Sequence, residues 1–530
     1  MQDYRDVLAS NTVQEMRTMV NDNFNTIRST HAGEAFPTEN LVLGMKCFRT
    51  DEKKTYTLVS MDPLEWAVEA SGGDIVNAQK YLAFIGREAL GRLTDWSGLF
   101  NRALSVEVVD FADLGTGAYV TNMSKMFHDC VSLKTVLNLN LPSSHVVRDV
   151  HGMFSECTAI SVLDVTGFQA KNVESFVDMF SDCHELKKLD VSGWQTGNAT
   201  DMRGMFRNCW KLESLDVSKW NVSKCTDFAE MFAGCRRLRG LDFTTWDTAK
   251  ATAMGGMFQG CGNENVPFAP LKLDLTTLDA SNVETTAKMF AYARAELIIG
   301  EKMRKTGKCT HMEGMFSRFN NLGDVVIAGD GYNPAVMATD YHGTPCKQTI
   351  FTAFDYSSVE NMSGMFEGTY AVNCEIDGKK GLVFHVSTPN VTNVSRLFSS
   401  TYGAQFMDVS INTDKITEMQ WMFDGANPAS IRLRNFDTRK MTVGWGEVIP
   451  VDGMFKNCRN LRYLIIDSMQ FIFKLTEDIL ADLPAECRFV VPRAMIPVYK
   501  EQEHWKNYAS RLIAMEDCSL YGACVNSAPA

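Results

Sequence analysis

A Met-Phe pair recurs along this chain, and that recurrence limits what the chain can fold into more than any other feature. It ends at Phe127, Phe154, Phe180, Phe206, Phe232, Phe258, Phe290, Phe316, Phe366, Phe423 and Phe455, with Leu-Phe variants at Phe100 and Phe398. Successive anchor positions differ by 27, 27, 26, 26, 26, 26, 32, 26, 50, 32, 25 and 32 residues. A regular step of this length marks a repeat fold, in which each unit packs only on its neighbours. The longer steps after Phe258 read as loop insertions, and the step from Phe316 to Phe366 has room for a degenerate repeat.

Written from Thr200, one unit runs Thr-Asp-Met-Arg-Gly-Met-Phe-Arg-Asn-Cys-Trp-Lys-Leu-Glu-Ser-Leu-Asp-Val-Ser-Lys-Trp. Met202, Met205 and Phe206 fall at i, i+3 and i+4, the spacing of one face of a short helical turn, and Thr200-Asp201 in front of them supplies N-cap oxygens. Leu215-Asp216-Val217-Ser218 then alternates apolar and polar, as a half-buried strand does. Equivalent strands are predicted at Leu163 to Thr166, Leu189 to Ser192 and Leu241 to Thr244. One short strand and one helical turn cannot bury an apolar face alone, so successive units must stack into a solenoid with a parallel sheet on one side.

The pattern L-x-x-L-D-V-S-x-W followed by T-D-M-x-x-M-F-x-x-C resembles the BspA-like class of leucine-rich repeats found in many bacterial surface proteins. It holds best from Asp178 to Cys261 and extends over 94–470. The resemblance implies an α/β leucine-rich-repeat solenoid of short parallel strands and short helical turns, with insertions after 258. Residues 471–530, with Phe489-Val490-Val491-Pro492, Val498-Tyr499-Lys500, Trp505, Tyr508 and Leu512, resemble the element that closes such arrays. An array end exposes an unpaired core, so a divergent cap is expected there.

Residues 1–93 lack the period. Val13, Met16, Val20, Phe24 and Ile27 recur in three- and four-residue steps, which predicts an amphipathic helix that either packs on its own domain or serves self-association and attachment. Met45 to Arg49 and Thr55 to Val59 flank a charged turn and read as a hairpin. Helix plus hairpin, with Phe36-Pro37-Thr38 and Gly44-Met45-Lys46-Cys47-Phe48-Arg49-Thr50-Asp51 between, resembles the small N-terminal module of phage tail-fibre and virion-attachment proteins. That resemblance implies an α+β attachment module over 1–60. Residues 61–93, including a helical stretch from Ile75 to Leu90, read as linker and N-terminal cap.

Composition matters for what it excludes. Lys plus Arg is 52 against 64 for Asp plus Glu, a net charge of −12 that argues against nucleic acid or an anionic bilayer as partner. No run approaches 18 apolar residues, and the N-terminus lacks a basic and apolar export signal, so synthesis in the cytosol without membrane insertion is expected. Motifs for serine hydrolases, zinc proteases and phosphate-binding loops are missing, so the sequence predicts no catalytic residues, no cofactor and no metal. The fifteen Cys include seven, Cys130, Cys157, Cys183, Cys209, Cys235, Cys261 and Cys458, that stand three residues after an anchor Phe. Spaced one repeat apart without a partnering His, they read as a buried column rather than a zinc site.

Two further columns are candidates for ligand binding. Asp164, Asp190, Asp216 and Asp242 take outward parity on the strands, with Ser192 and Ser218 beside them. Their mutual repulsion must be offset by hydrogen bonds to a neighbouring turn or hydroxyl, or else by a cation or a basic partner. Trp194, Trp220 and Trp246, after Phe168, read either as packed rings or as a partly exposed row for sugar or protein.

Together these readings predict a virion protein, a tail fibre or tail-associated component, joined to other tail or capsid proteins through residues 1–60. Its solenoid would display the sheet face and insertions to a host-surface glycan or protein, with homo-oligomerisation through the N-terminal helix open. A bacterial cell-surface or secreted adhesin of the same repeat class, and an intracellular scaffold or effector, are the alternatives.

Overall fold

In the computed structural model the described residues are 94–518, apart from 105, 112–119, 138, 140–145, 169, 263–270, 320–325, 328–337, 340–344, 347–352, 373, 377–378, 439–450, 471–472, 474–478 and 480–482, together with four strands between 31 and 68. Those strands are β1 (His31–Gly33), β2 (Lys46–Arg49), β3 (Lys54–Met61) and β4 (Leu64–Val68). The predicted hairpin is present as β2 and β3, antiparallel with Lys46 opposite Thr57 and Arg49 opposite Lys54. Strand β4 pairs antiparallel with β3, so this sheet runs into the segment read as linker. Both predicted N-terminal helices, with Val13, Met16, Val20, Phe24 and Ile27, lie outside the described residues.

The chain divides into two compact units, Met1–Trp246 and Asp247–Ala530. In the first unit the repeats contribute very short parallel strands, β5 (Val108–Asp110), β6 (Thr135–Leu137), β7 (Val162–Leu163), β8 (Lys188–Leu189) and β9 (Gly240–Leu241), with β5 on β6 and β7 on β8. Strands β7, β8 and β9 start one residue before the predicted Leu and end on it, because the Asp that follows opens a turn, and the strand predicted at Leu215 to Ser218 is reduced to a single bridge at Ser214.

The Met-Phe segment is inward-facing as predicted, but it is not helical. A helix would send every amide to the carbonyl four residues back within the segment. Here alternate amides leave it: Met123, Lys125, Phe127 and Asp129 donate to Asp149, His151, Met153 and Ser155 of the next repeat, at 2.7–2.9 Å. Met126, His128 and Cys130 donate to the carbonyl three residues back. The segment is therefore a run of tight turns laddered to its neighbour. Making that ladder requires left-handed backbone two residues before and two residues after every anchor Phe, as at Asp178 (φ 51°) and Asp182 (φ 62°), or Gly204 (φ 61°) and Asn208 (φ 57°).

Stacking fills the core of each unit. In the first, consecutive anchors from Phe100 to Phe232 lie with ring centroids 5.1–5.8 Å apart and nearly parallel planes. Each such ring is fully buried and contributes roughly 1.5–3 kcal/mol of burial free energy. The predicted capping oxygen is also in place, since Asp201 Oδ1 accepts the Arg203 amide at 3.0 Å.

The second unit repeats the scheme with longer strands. Strands β10 (Leu271–Leu275), β11 (Ala295–Ile299) and β12 (Val326–Ile327) are parallel, and a short helix, α1 (Glu301–Arg304), follows β11. The long step hides no repeat: the Met312 amide donates directly to Asn361, and Phe316 stacks on Phe366 at 6.1 Å. The intervening residues form an insertion whose described part includes the antiparallel pair β13 (Ala338–Thr339) and β14 (Pro345–Cys346).

Beyond it lies a seven-stranded sheet. It contains β15 (Cys374–Ile376), β16 (Lys379–His385), β17 (Phe406–Ser410), β18 (Ser430–Arg434), β19 (Tyr463–Asp467), β20 (Arg488–Val491) and β21 (Leu512–Ala514), parallel from β16 onward. The last two strands come from the predicted cap, which extends the sheet while closing the core with α2 (Ile496–Glu501) and the buried Tyr499 and Trp505. Both polar tips are satisfied: the Phe473 amide donates to the Tyr499 hydroxyl at 3.1 Å, and Trp505 Nε1 donates to the Phe473 carbonyl at 2.9 Å.

Candidate functional site

On the strands of the first unit, side chains alternate between core and solvent. Leu163, Leu189, Leu215 and Leu241 point inward, while Val162 (57% exposed), Lys188 and Ser214 point outward. The acidic column lies on this outer side. Asp164, Asp190, Asp216 and Asp242 are all exposed, at rungs about 4.8 Å apart.

Each carboxylate is held by its own turn. Asp190 Oδ1 accepts the Ser192 amide at 3.1 Å and its hydroxyl at 2.7 Å, and Asp216 accepts the Ser218 amide at 3.0 Å and its hydroxyl at 2.6 Å. Asp164 takes the same pair of donors from Thr166, and Asp242 takes the Thr244 amide. These are Asx-type turns, which explain why Asp and a hydroxyl residue recur two positions apart. The hydroxyl bonds, and then the amide bonds, hold the Asp164 and Asp216 carboxyls below the ordinary value. Hydrogen bonds from the hydroxyl column, present at Asp164, Asp190 and Asp216, and from an amide of the same turn offset part of the repulsion. Among the described residues no cluster of three or more His, Cys, Asp or Glu is arranged to hold a metal.

The tryptophan column is corrected by burial. Trp194, Trp220 and Trp246 are 3, 1 and 3% exposed, so they are core rings and offer no surface to sugar or protein. They stack at 6.2 and 6.4 Å, and each indole N–H donates to a carbonyl one repeat back, Trp220 to Val191 at 3.1 Å. Strand parity weakens once the Asp turn begins, which is why the sequence left both readings open.

The cysteine column is a packing device with a built-in hydrogen bond. Cys130, Cys157, Cys183, Cys209 and Cys235 are buried free thiols, each donating from Sγ to the carbonyl of an anchor Phe one repeat earlier, at 3.0–3.2 Å. Burial pushes the Cys130 and Cys235 thiols up to about 12, against a hydrogen bond that acts in the opposite direction. These groups are poor nucleophiles and poor metal ligands.

Nothing in the repeat pattern points to the charged network on the second unit. Asp408, buried on the outer side of β17, receives His385 Nε2 at 3.1 Å and Arg434 at 2.6 and 2.7 Å. Burial alone would raise this carboxyl, yet the bonds from His385 and Arg434 hold it far below the carboxylate range. Asp467 receives the buried Arg432 in turn. Its members come from separate repeats, and only pairing of β16 to β19 brings them together.

Comparison with known families follows this geometry. The family described as "Mycoplasma protein of unknown function, DUF285" matches at 94–214, 148–269, 200–329, 268–377 and 335–465, overlapping stretches that together take in more than half of the chain. The chain belongs to the DUF285 family. Its DUF285 repeats are the Met-Phe rungs described above, and the matched stretches begin and end close to the predicted solenoid limits. No curated protein matches the chain. Among solved structures, it is similar to a leucine-rich repeat protein from Bacteroides ovatus ATCC 8483 (10% identity, 76% of this chain and 88% of that one, TM-score 0.29). It is also similar to a leucine rich cell surface protein from Faecalibacterium prausnitzii A2-165 (14% identity, 71% and 77%, TM-score 0.27).

Proposed function

We propose that this DUF285 protein is a surface-displayed or secreted recognition protein, an adhesin of the leucine-rich-repeat class, that acts by binding through the outer sheet side of its first unit. The observation that carries the reading is the set of outward rows, Val162, Lys188 and Ser214 beside Asp164, Asp190, Asp216 and Asp242, fixed on a backbone whose rungs from Phe100 to Phe232 are laddered one to the next. Rows of this kind pay little ordering entropy on binding, because the carboxylates are already held by their own turns. Affinity would come from several weak polar contacts to a glycan or protein, multiplied where many copies share one surface.

The virion reading rests on the helix-plus-hairpin resemblance of residues 1–60, of which the hairpin β2–β3 is described, and neither the matched family nor the similar structures reported above are phage proteins. Fractionation separates the two. Quantitative mass spectrometry of producing cells should find the protein in the envelope or the medium; its enrichment in purified phage particles would overturn the surface reading. No helix among the described residues is long and apolar enough to cross a membrane.

A further inference from the structure

On the second unit the outer side is open at β10 and β11, where Lys272, Asp274 and Glu296 are exposed, and closed over β19 and β20 of the seven-stranded sheet. In β19, Leu464 and Ile466 face the core, so Ile465 faces outward, and its register partner on β20 is Val490. Both are buried, at 1 and 0% exposure, whereas Val162 at the outward position of the first unit is 57% exposed. The cover is the chain's own segment after β21. Met515 and Cys518 pack on Ile465 and Val490, with Tyr463 at the margin. Between those two apolar residues, Glu516 and Asp517 are clasped by one residue: the Arg493 amide donates to the Glu516 carboxylate at 3.0 and 3.3 Å, and the Arg493 guanidinium pairs with Asp517.

We propose that the outer face of β19 and β20, with Arg493 at its edge, is a peptide-docking surface that Met515–Cys518 occupies in cis, and that its external partner is a peptide of the same chemistry, apolar residues bracketing two carboxylates. This deepens the recognition reading and rests on it for the idea that outer sheet faces are where partners bind. The anchor is small and its clasp exposed, so the segment can leave without opening the rungs beneath it. Ion pairs in water are weak and salt-sensitive, which suits a contact meant to be exchanged.

Cys518 is the natural reporter, because it is buried against Ile465 and Val490 while the segment is seated. The full chain and its Glu516→Gln/Asp517→Asn variant are pulsed with iodoacetamide, and modification is read at each cysteine by mass spectrometry. Cys518 should react roughly tenfold faster in the variant, with Cys458 in the core unchanged. An unchanged Cys518 rate, or Cys518 and Cys458 rising together, would overturn the proposal, the second because the segment would then be part of the global fold. A fluorescent peptide of residues 513–520 should bind the variant and not the wild type; failure to bind a variant whose Cys518 is open would sink the docking claim. Neither readout involves the first unit, so failure of the adhesin reading would show elsewhere.

Discussion

At the residue scale, the left-handed positions flanking each anchor carry the fold. A left-handed non-glycine residue costs about 1–2 kcal/mol, and the ladder amides at Asp178 and Asp182 offset it. Gly204 makes the point sharply: φ is +61°, and an added Cβ would lie 2.2 Å from Asp178 Oδ1. Gly204→Ala should lower stability by about 2 kcal/mol in denaturant titration, while Gly193→Ala, with open space at the same atom, should stay within about 0.5 kcal/mol. The sequence contains this signal, since glycine stands two residues before the anchor at 98, 152, 204, 256, 314, 364 and 453. It is masked by Lys, Asp, Glu, Arg and Trp at the other rungs, which propensity alone would place in helix.

The acidic column makes a pH prediction at the same scale. The carboxyls of Asp164 and Asp216 have folded values below the ordinary 3.8, so their contribution is present at neutral pH and lost as pH falls through the folded values. Unfolding midpoints of the Asp164→Asn/Asp216→Asn variant should therefore depend less on pH below about 4 than those of the wild type. A steeper dependence in the variant would contradict the turn geometry.

At the element scale, the unit of stability is the rung. Phe206→Ala removes a fully buried ring from the stack and should cost about 3–5 kcal/mol. The thiol column should behave as core: Cys130, Cys157, Cys183, Cys209 and Cys235 should react with a disulfide reagent only as fast as the chain unfolds, and a fast native-state phase at any of them would argue against the packing. The rung itself was legible, because apolar spacing dictates which side chains face inward whatever the backbone does. Met202, Met205 and Phe206 are buried as expected, in turns where a helix was expected. Spacing of i, i+3 and i+4 does not distinguish one helical turn from a pair of reverse turns; only the neighbour's hydrogen bonds decide that. Likewise the tryptophans were ambiguous from parity, since a turn resets the alternation, and their burial settles them as core.

At the scale of the whole molecule, the two units use one rung to build different outer surfaces. On β7 and β8 of the first, the outward residues are exposed; on the seven-stranded sheet of the second, Asp408 and Arg432 are buried and paired, and Met515 and Cys518 pack over Ile465 and Val490. Repeat periodicity reported the common part and could not report this difference, because the ion network joins residues 23–35 positions apart on strands with no shared motif. The clasp of Arg493 on Glu516 and Asp517 was hidden for the same reason. On the function proposed above, the array offers recognition where its outer rows stay open and keeps it in reserve where its own chain covers them.

The central claim is that the open outer rows of the first unit do the binding. Its most direct test is saturable binding of the purified chain to an array of surface glycans and extracellular proteins, wild type against Lys188→Glu/Asp190→Lys/Asp216→Lys. The account predicts saturable binding by the wild type and at least a tenfold loss in the variant, with no change in thermal midpoint beyond about 4 °C. Equal binding by both chains, or no saturable binding by either, would contradict it.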